Sequence, residues 1–281
     1  MRVLVTGATG SVGSALAERF LRDGHRVRGL VRSGAAPAGT EPIEGDITDR
    51  AVLREAVRGV DLVVHCAAAV SDLETCLRVN VDGTRCLVEA LAAAGRRPRL
   101  VHISTVSVYD DAAGPEYDEE SALWATTEGA YGFSKAEAER LLRTAAGRDL
   151  ASIVLRPPLI LSMHPRSRWG PLAIARARTE EGCLLPFPEL PYVHVDNLVD
   201  AIVLAANAPV TGGRAYNVVE GVADTREYLE VIYGAPGRAA PPIPDGAPRL
   251  RFAADRVRRE LGWAPRDRWR EFVDELRRPV D

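Results

Sequence analysis

The sequence predicts an α/β fold: a doubly wound parallel sheet with helices on both faces, followed by a small, discontinuous C-terminal lobe. Three observations predict this fold. An apolar, β-branched run, Val3-Leu4-Val5, stands near the start of the chain; a glycine-rich turn and a helical pattern follow it; and short apolar runs then alternate with helical periodicity through residue 155. Strands separated by helices require crossover connections, which produce a parallel sheet covered on both faces.

The elements follow in order from this alternation. After the first strand, Leu16 and Phe20 recur at helical spacing and predict the first helix. Further apolar runs bounded by turn residues predict the later strands, and longer stretches of helical period predict the helices between them. The predicted strands are 26–31, 61–65, 99–103 and 151–155, and the predicted helices are 49–58, 74–94 and 128–146.

The regular alternation ends at Arg156. Seven prolines between residues 157 and 192 predict a loop-rich segment with one helix at 172–178. A helix within 193–206 and a strand within 215–219 predict a return to the sheet, whereas proline and glycine in 234–248 indicate an exposed linker. Two terminal helices are predicted at 253–261 and 267–276.

Composition excludes several classes of protein. The 281 residues carry 36 basic and 39 acidic side chains, interspersed along the chain, so no basic patch predicts a nucleic-acid partner. No apolar run approaches the roughly 18 residues of a membrane-spanning helix. The four cysteines form no CxxC pair and have no histidine at zinc spacing. We therefore expect no metal, no targeting segment and a reducing, cytoplasmic compartment.

Three glycines spaced three residues apart, Gly7, Gly10 and Gly13, follow the first strand and open the first helix. Such a turn lets the backbone approach a phosphate, and the N–H groups and positive end of the helix then hold a pyrophosphate. Glycine-rich turns also occur for purely geometric reasons. The strand before and the helix after favour dinucleotide binding.

The end of the second strand indicates which dinucleotide is preferred. An NAD site places an acidic residue about twenty residues beyond the glycines. Here Val31 occupies that place, and Arg32 and Ser33 follow. A guanidinium with no carboxylate beside it suits a 2′-phosphate, so we predict NADP(H), with NAD(H) possible. The alternative is that Arg32 is a solvated loop residue.

Tyr131 and Lys135 form a YxxxK pair, which lies on one face of a helix. A phenol with a reference pKa near 10 needs a nearby positive charge to act as an acid or base at neutral pH. Lys135 is the single lysine among 36 basic residues, the other 35 being arginine. A surface stacking pair is the alternative, but the lone lysine after the fifth strand favours catalysis.

These motifs together resemble the extended branch of the short-chain dehydrogenase/reductase superfamily, whose Rossmann domain carries GxxGxxG and YxxxK. The segment His102–Tyr109 resembles the family's HxSSxxVY, and this resemblance implies that Thr105 is the catalytic hydroxyl, with Ser107 as a rival and Ser104 as a backbone tie. Asn80 resembles the asparagine that orders a helix and water behind the lysine; a plain helix-interior role is its alternative.

The resemblance also implies cofactor contacts. The segment Gly45–Asp49 resembles a GD(I/L)xD motif whose first Asp meets adenine, Asp49 being a helix N-cap, and 65–69 resembles an HxAA loop beside the adenine ribose. Arg156-Pro157-Pro158 resembles a turn at the nicotinamide, and His194 resembles a structural histidine. The implied cofactor-binding set is Gly7, Thr9, Gly10, Ser11, Val12, Gly13, Arg32, Ser33, Asp46, Ile47, Ala67, Ala68, Ala69, Tyr131, Lys135 and Pro158.

The domain division follows from the end of the regular alternation at Arg156 and from the return to the sheet after residue 193. The resemblance extends almost to the C-terminus, through segments similar to VHVDD, YNV and LGWxP motifs. Residues 1–160, with 194–220 returning to them, are expected to form the dinucleotide-binding domain. Residues 161–193 and 221–281 are expected to form the substrate-binding lobe. Helices near 81–94 and 128–146 would pair in a homodimer of the family's four-helix type.

The implied reaction is hydride transfer with Tyr131 exchanging a proton, Thr105 binding the substrate oxygen and Lys135 holding the ribose. We expect an NADPH-dependent reductase of a hydrophobic ketone or aldehyde. Dehydratases would carry an Asp-Glu pair where Val106 and Ser107 stand. A nucleotide-sugar epimerase with tightly bound NAD and a non-catalytic NADP sensor remain alternatives.

Substrate class depends on the later residues. In family members that act on sugar nucleotides, the segment before the VHVDD motif typically resembles GxGxxxRD(F/Y), whose arginine helps on the diphosphate side. Segment 185–191 lacks that arginine, and its apolar side chains favour a hydrophobic substrate. Several arginines could instead meet a phosphate. The expected apolar lining is Trp124, Trp169, Leu184, Leu185 and Phe187; the arginines are Arg166, Arg168, Arg176, Arg178 and Arg249.

Overall fold

The computed structural model describes residues 1–95, 98–110, 114–146, 150–177, 179, 185, 187–209, 212–234 and 237–278. Its strands and helices follow one another in the alternating order that the sequence predicts. The strands are β1 Arg2–Thr6, β2 Arg26–Val31, β3 Glu41–Glu44, β4 Leu62–His65, β5 Arg99–Ile103, β6 Glu116–Tyr117, β7 Ser152–Arg156, β8 Leu159–Leu161, β9 Glu189–His194, β10 Arg214–Asn217, β11 Gly221–Asp224 and β12 Arg251–Phe252.

The helices cover the sheet and build the C-terminal part. They are α1 Ser11–Arg22, α2 Arg50–Ala56, α3 Leu73–Cys76, α4 Gly83–Ala93, α5 Ala130–Ala146, α6 Pro171–Ala177, α7 Val195–Asn207, α8 Thr225–Gly234, α9 Asp255–Leu261 and α10 Trp269–Arg277. One π-helical stretch, Leu77–Asp82, joins α3 to α4, and a short 3₁₀ helix spans Val106–Val108.

Seven parallel strands form the main sheet in the order β10-β7-β5-β4-β1-β2-β3. One apolar cluster packs α1, α7 and α9 on one face, and another packs α2, α4 and α5 on the other. All four residues of β4 and all five of β7 are buried, as strands covered on both faces should be. The predicted doubly wound, Rossmann-like fold is therefore confirmed.

Two additional sheets lie outside the main sheet. Strands β11, β9 and β8 form one, with β9 antiparallel to β11 and parallel to β8, and β12 pairs with β6 in the other. A separate apolar cluster joins β9 to α6, α8 and α10 around the buried side chains of Tyr228 and Phe272. The 157–192 segment, predicted to be loop-rich with one helix, thus also contains β8 and most of β9.

Two of the differences from the predicted elements have physical reasons. Strand β3 was not predicted, because Glu41-Pro42-Ile43-Glu44 lies at the sheet edge and has no buried apolar run. The single helix predicted at 74–94 is divided by the π-helical stretch, which periodicity alone does not reveal. The predicted helix 172–178 is α6, and Arg178 lies outside the described residues.

The parallel arrangement positions the functional residues. Loops after the carboxyl ends of β1, β2, β4, β5 and β7 all emerge at one edge of the sheet, where ligands bind in folds of this kind. No helix in the described part of the chain has the length and apolar character needed to cross a membrane. No cluster of three or more potential metal ligands is present among those residues either.

Candidate functional site

The glycine turn after β1 is packed too tightly for side chains. Gly7 has φ of +67°, and a Cβ there would lie 2.8 Å from the backbone nitrogen of Ala67. A Cβ on Gly13 would lie 2.2 Å from the Gly7 carbonyl oxygen. Gly10 is the N-cap of α1 and supplies no side chain to its N–H groups. The start of α1 therefore offers backbone donors to an anion.

A pocket opens beside this turn and collects much of the predicted cofactor-binding set. It is bounded by the glycine turn, the end of β2, the loop after β3 and the loop after β4. These parts fit a dinucleotide, because the pocket combines the helix start with a cation and small side chains. Of the predicted residues, the lining includes Gly7, Thr9, Gly10, Arg32, Ser33, Asp46, Ile47, Ala67 and Ala68; the others are Leu30, Gly45, Cys66, Val79 and Arg166.

Asp46 and Asp49 make separate contacts, and the predicted N-cap role of Asp49 is confirmed. Asp49 caps α2 by accepting hydrogen bonds from the N–H groups of Ala51 and Val52, at 2.8 and 3.2 Å. Asp46 accepts from the backbone nitrogen and hydroxyl of Thr48, at 2.9 and 2.7 Å. Partial burial opposes ionisation, but these bonds and nearby arginines lower the pKa of Asp46 on balance. Its carboxylate is thus a fixed acceptor at the pocket.

The predicted catalytic residues lie together. Tyr131 is half-buried on α5 and is hydrogen-bonded to the Thr105 side chain. The Thr105 hydroxyl accepts from the backbone nitrogen of Ser107 at 3.1 Å, which orients it at the start of the 3₁₀ helix. Burial raises the pKa of Tyr131 to about 12, although the Thr105 hydrogen bond and Arg168 act to lower it. The phenol is therefore neutral at pH 7 in this structure.

Lys135 lies one helical turn beyond Tyr131 and is only 1% exposed. Its Nζ donates to the carbonyl oxygen of Ile103 at 2.7 Å and lies 3.1 Å from Nε2 of His102. Burial lowers the pKa of Lys135 to about 8, while the nearby Glu139 carboxylate favours its charged form. The ammonium is thus held at the carboxyl end of β5 by two acceptors on that strand.

Two buried histidines extend this polar cluster beneath the lysine. The rings of His65 and His102 are 5.0 Å apart, and His65 also contacts the hydroxyls of Thr6 at 2.7 Å and Thr84 at 3.1 Å. Burial, then the charge of Lys135, lowers the pKa of His65 to about 3 and that of His102 well below its usual value. Both rings are neutral. Both histidines stand within the motifs found in the sequence, but nothing in the sequence predicted that they lie beside the lysine.

Asn80 joins the loop after β4 to the turn of α5 that bears Tyr131. Its Nδ2 donates to the Ala69 carbonyl at 3.0 Å and to Oγ of Ser134 at 2.9 Å, and its Oδ1 accepts from the Ala69 nitrogen at 2.8 Å. Ser134 in turn donates to the carbonyl of Tyr131 at 2.8 Å. Asn80 lies in the π-helical stretch, a feature common at functional sites.

A buried ion pair fixes α5 against the sheet. Arg156 and Glu139 are 1% and 2% exposed, and Nη2 of the arginine lies 2.6 Å from Oε2 of the glutamate. Glu139 also accepts from Oγ of Ser104 at 2.5 Å, and Arg156 donates to Oη of Tyr109 at 2.9 Å. Sequence reasoning missed Glu139, which looks like an ordinary helical surface glutamate.

The remaining predicted cofactor-binding residues do not line the pocket. Ser11, Val12 and Gly13 form the start of α1, Ala69 is bound by Asn80, and Pro158 is buried after β7. His194 caps α7 by accepting from the Asp196 nitrogen, in keeping with a structural role.

The described apolar residues among those expected around the substrate lie in two separate apolar clusters. Leu185 is 8% exposed and packs in the cluster of α6, α8 and α10, and Trp169 packs against the same cluster. Trp124 packs in the small cluster next to α5, and its ring also lies against Gly129. Leu184, Arg178 and Cys183 lie outside the described residues.

Comparison with known proteins identifies the family to which this site belongs. A family model described as the NAD dependent epimerase/dehydratase family matches residues 3–219. The chain belongs to this family. Membership makes it an NAD(P)-dependent oxidoreductase of the extended short-chain dehydrogenase/reductase type, and the predicted resemblance is confirmed.

Relatives within this family carry out different reactions. The chain is 30% identical to the 4-hydroxy-2-methyl-3-oxo-4-farnesyl-3,4-dihydroquinoline-1-oxide ketoreductase of Stigmatella aurantiaca, covering 99% of this chain and 96% of the relative. It is 33% identical to the UDP-glucose 4-epimerase of Mycolicibacterium smegmatis, covering 94% of both. The solved structure of MoeE5 in complex with UDP-glucose and NAD is 25% identical, with a TM-score of 0.82, and covers 98% of this chain and 97% of MoeE5.

Proposed function

We propose that this family member is an NADPH-dependent reductase of a ketone or aldehyde on a small, hydrophobic substrate. The observation that carries the proposal is the placement of Tyr131 and Lys135 one turn apart on α5, with the Lys135 ammonium at the carboxyl end of β5 and the Thr105 side chain next to the Tyr131 phenol, which is neutral at pH 7. A neutral phenol can donate a proton to a carbonyl oxygen that becomes an alkoxide as hydride arrives. The similarity to a ketoreductase over almost the full length of both chains supports the same function.

The residues have distinct roles in this proposal. Thr105 donates a hydrogen bond that fixes the substrate oxygen beside the Tyr131 hydroxyl, and Tyr131 gives up its proton to that oxygen as general acid. The Lys135 ammonium stabilises the resulting phenolate and holds the nicotinamide ribose. When bound, NADPH supplies the hydride. General-acid assistance of this kind contributes roughly 10²–10⁴ to the rate.

The residues at the end of β2 favour NADPH. Val31 is buried and ends the strand, and the exposed Arg32 follows it at the pocket, with no carboxylate in the place where NAD sites carry one. A guanidinium favours a 2′-phosphate through paired, charge-assisted hydrogen bonds. Since cells keep NADP mostly reduced, this preference favours net reduction over redox-neutral isomerisation.

A second candidate is a nucleotide-sugar 4-epimerase that retains its NAD, and the similarity to the UDP-glucose 4-epimerase favours it. Both reactions use the same tyrosine, threonine and lysine, so these residues do not discriminate between them. The two differ in whether reduced cofactor is consumed.

The test uses the purified enzyme with NADPH and NADH against hydrophobic ketones and aldehydes, and against nucleotide sugars. The reductase proposal predicts NADPH consumption with carbonyl compounds and its loss in the Tyr131→Phe variant. Isomerised nucleotide sugar with no net cofactor consumption would replace it with the epimerase. Binding of NADPH without turnover on either panel would favour the cofactor sensor.

A further inference from the structure

We propose that Arg166, from the loop between β8 and α6, is a second recognition residue for the 2′-phosphate of NADPH, acting together with Arg32. This inference rests on the proposed preference for NADPH and adds to it a cation from a distant part of the chain. Arg166 lines the same pocket as Arg32 and Ser33, although more than 130 residues separate them in sequence.

The guanidinium lies between the glycine turn, which would hold the pyrophosphate, and the end of β2, which would meet the 2′ substituent of the adenosine ribose. Its Nη1 donates to Oγ1 of Thr9 in the glycine turn at 2.9 Å. Its Nη2 lies 3.4 Å from where a Cβ on Gly34 would stand, just beyond the end of β2. In dinucleotide-binding sheets the pyrophosphate lies at the glycine turn and the ribose 2′ substituent lies at the end of the second strand. Arg166 is therefore beside the atom that distinguishes NADPH from NADH.

The loop that carries Arg166 is internally ordered, so the side chain is presented in a defined direction. The Arg166 nitrogen donates to Nδ1 of His164 at 3.1 Å, and the His164 nitrogen donates to Oγ of Ser162 at 3.1 Å. The Ser167 nitrogen then donates to the His164 carbonyl at 2.8 Å. At the end of the loop a Cβ on Gly170 would lie 2.0 Å from the Ser162 carbonyl oxygen, so the loop closes tightly.

The hydrogen bond from Arg166 to Thr9 can be replaced by a stronger one from Arg166 to an anion. In the structure Arg166 is exposed and donates to a neutral hydroxyl, whereas a guanidinium has five N–H donors and binds phosphate in a bidentate fashion. Asp46 lines the same pocket and would repel a phosphate, but its carboxylate accepts from Thr48 and lies 3.7 Å from Arg78. Arg32, Ser33 and Arg166 thus line the part of the pocket where a 2′-phosphate would bind.

The test measures binding and needs no turnover. Calorimetric titration compares adenosine 2′,5′-bisphosphate with AMP, which differ only in the 2′-phosphate, on the wild type, Arg166→Met and Arg32→Met. We expect Arg166→Met to weaken bisphosphate binding by at least about tenfold and to leave AMP binding unchanged. Arg166→Lys should retain part of the affinity, and the double Met variant should abolish discrimination. Arg22→Met, an exposed arginine on α1 away from the pocket, is the control for lost charge.

The outcomes separate this inference from the proposed function. If the wild type prefers the bisphosphate and Arg166→Met keeps that preference, the NADPH preference depends on Arg32 without Arg166, and the inference is overturned. Equal weakening of both ligands would assign Arg166 to the 5′-phosphate or to loop packing and would also overturn it. If the wild type binds both ligands equally, the NADPH preference fails and the inference fails with it.

Discussion

Removing one partner of the buried Arg156–Glu139 pair should destabilise the protein more than any surface substitution. Both side chains are at most 2% exposed, and the arginine approaches the carboxylate through Nη2 at 2.6 Å and Nε at 3.0 Å. In Arg156→Met the glutamate charge remains buried without its cation. Breaking such a pair costs about 3–5 kcal/mol. One lost charge-assisted hydrogen bond accounts for about 1.5–3 kcal/mol, and this guanidinium donates to both carboxylate oxygens of Glu139 through Nε and Nη2.

The assay is equilibrium unfolding in urea of the wild type, Arg156→Met, Glu139→Leu and the double variant. Because the double variant leaves no unpaired charge, its free energy of unfolding should be higher than that of either single variant. Its loss of stability should therefore be far smaller than the sum of the two single-variant losses. The surface pair Arg58 and Glu55, 3.0 Å apart and exposed, serves as the control, with Arg58→Met changing stability by less than about 1 kcal/mol. A loss below about 1 kcal/mol in Arg156→Met, or simple additivity in the double variant, would refute the reasoning.

Three further predictions follow from the site. Gly13→Ala places a Cβ 2.2 Å from the Gly7 carbonyl oxygen, so fluorescence titration should show loss of dinucleotide binding, whereas Gly234→Ala, whose Cβ would meet nothing within 4 Å, should bind normally. Arg32→Glu should weaken NADPH binding by about tenfold or more and leave NADH binding equal or stronger; unchanged NADPH affinity would contradict it. The two buried histidines have pKa values lowered by burial and Lys135, so they are neutral when folded but protonate when unfolded below about pH 6.5. The free energy of unfolding should therefore fall as pH drops from 6.5 toward 4.5, by up to about 1.4 kcal/mol per pH unit per histidine, and His102→Leu should reduce that slope; an unaltered slope would show that His102 titrates normally.

The main sheet and the catalytic pair could be predicted because their signals are local. Strand 99–103 was predicted with the bounds that β5 has, and the YxxxK pair lies on one face of α5. Strand β3 gave no such signal, because an edge strand of two glutamates and a proline has neither apolar alternation nor a buried run. The π-helical stretch gave none because it depends on backbone hydrogen bonding within a continuous helical pattern.

The supporting residues could not be placed from the sequence for a different reason. Glu139 gave no signal, and Arg166 was only one of five arginines that could meet a phosphate, because tertiary structure alone brings them to Arg156 and to Thr9. The lysine's expected effect on the tyrosine also differs in the structure, where burial dominates and raises the pKa of Tyr131. Such desolvation depends on which groups pack above the ring, and spacing along a helix does not report it.

The central claim, that Tyr131 delivers a proton to a carbonyl while hydride leaves NADPH, is tested most directly by isotope transfer. The enzyme would be incubated with a carbonyl substrate from the active panel and NADPH carrying deuterium at both C4 positions of the nicotinamide, and the product would be analysed by mass spectrometry. We expect deuterium on the carbinol carbon of an alcohol product in the wild type, and no labelled alcohol with Tyr131→Phe although NADPH still binds. Labelled alcohol at the wild-type rate from Tyr131→Phe would contradict the assignment of the general acid.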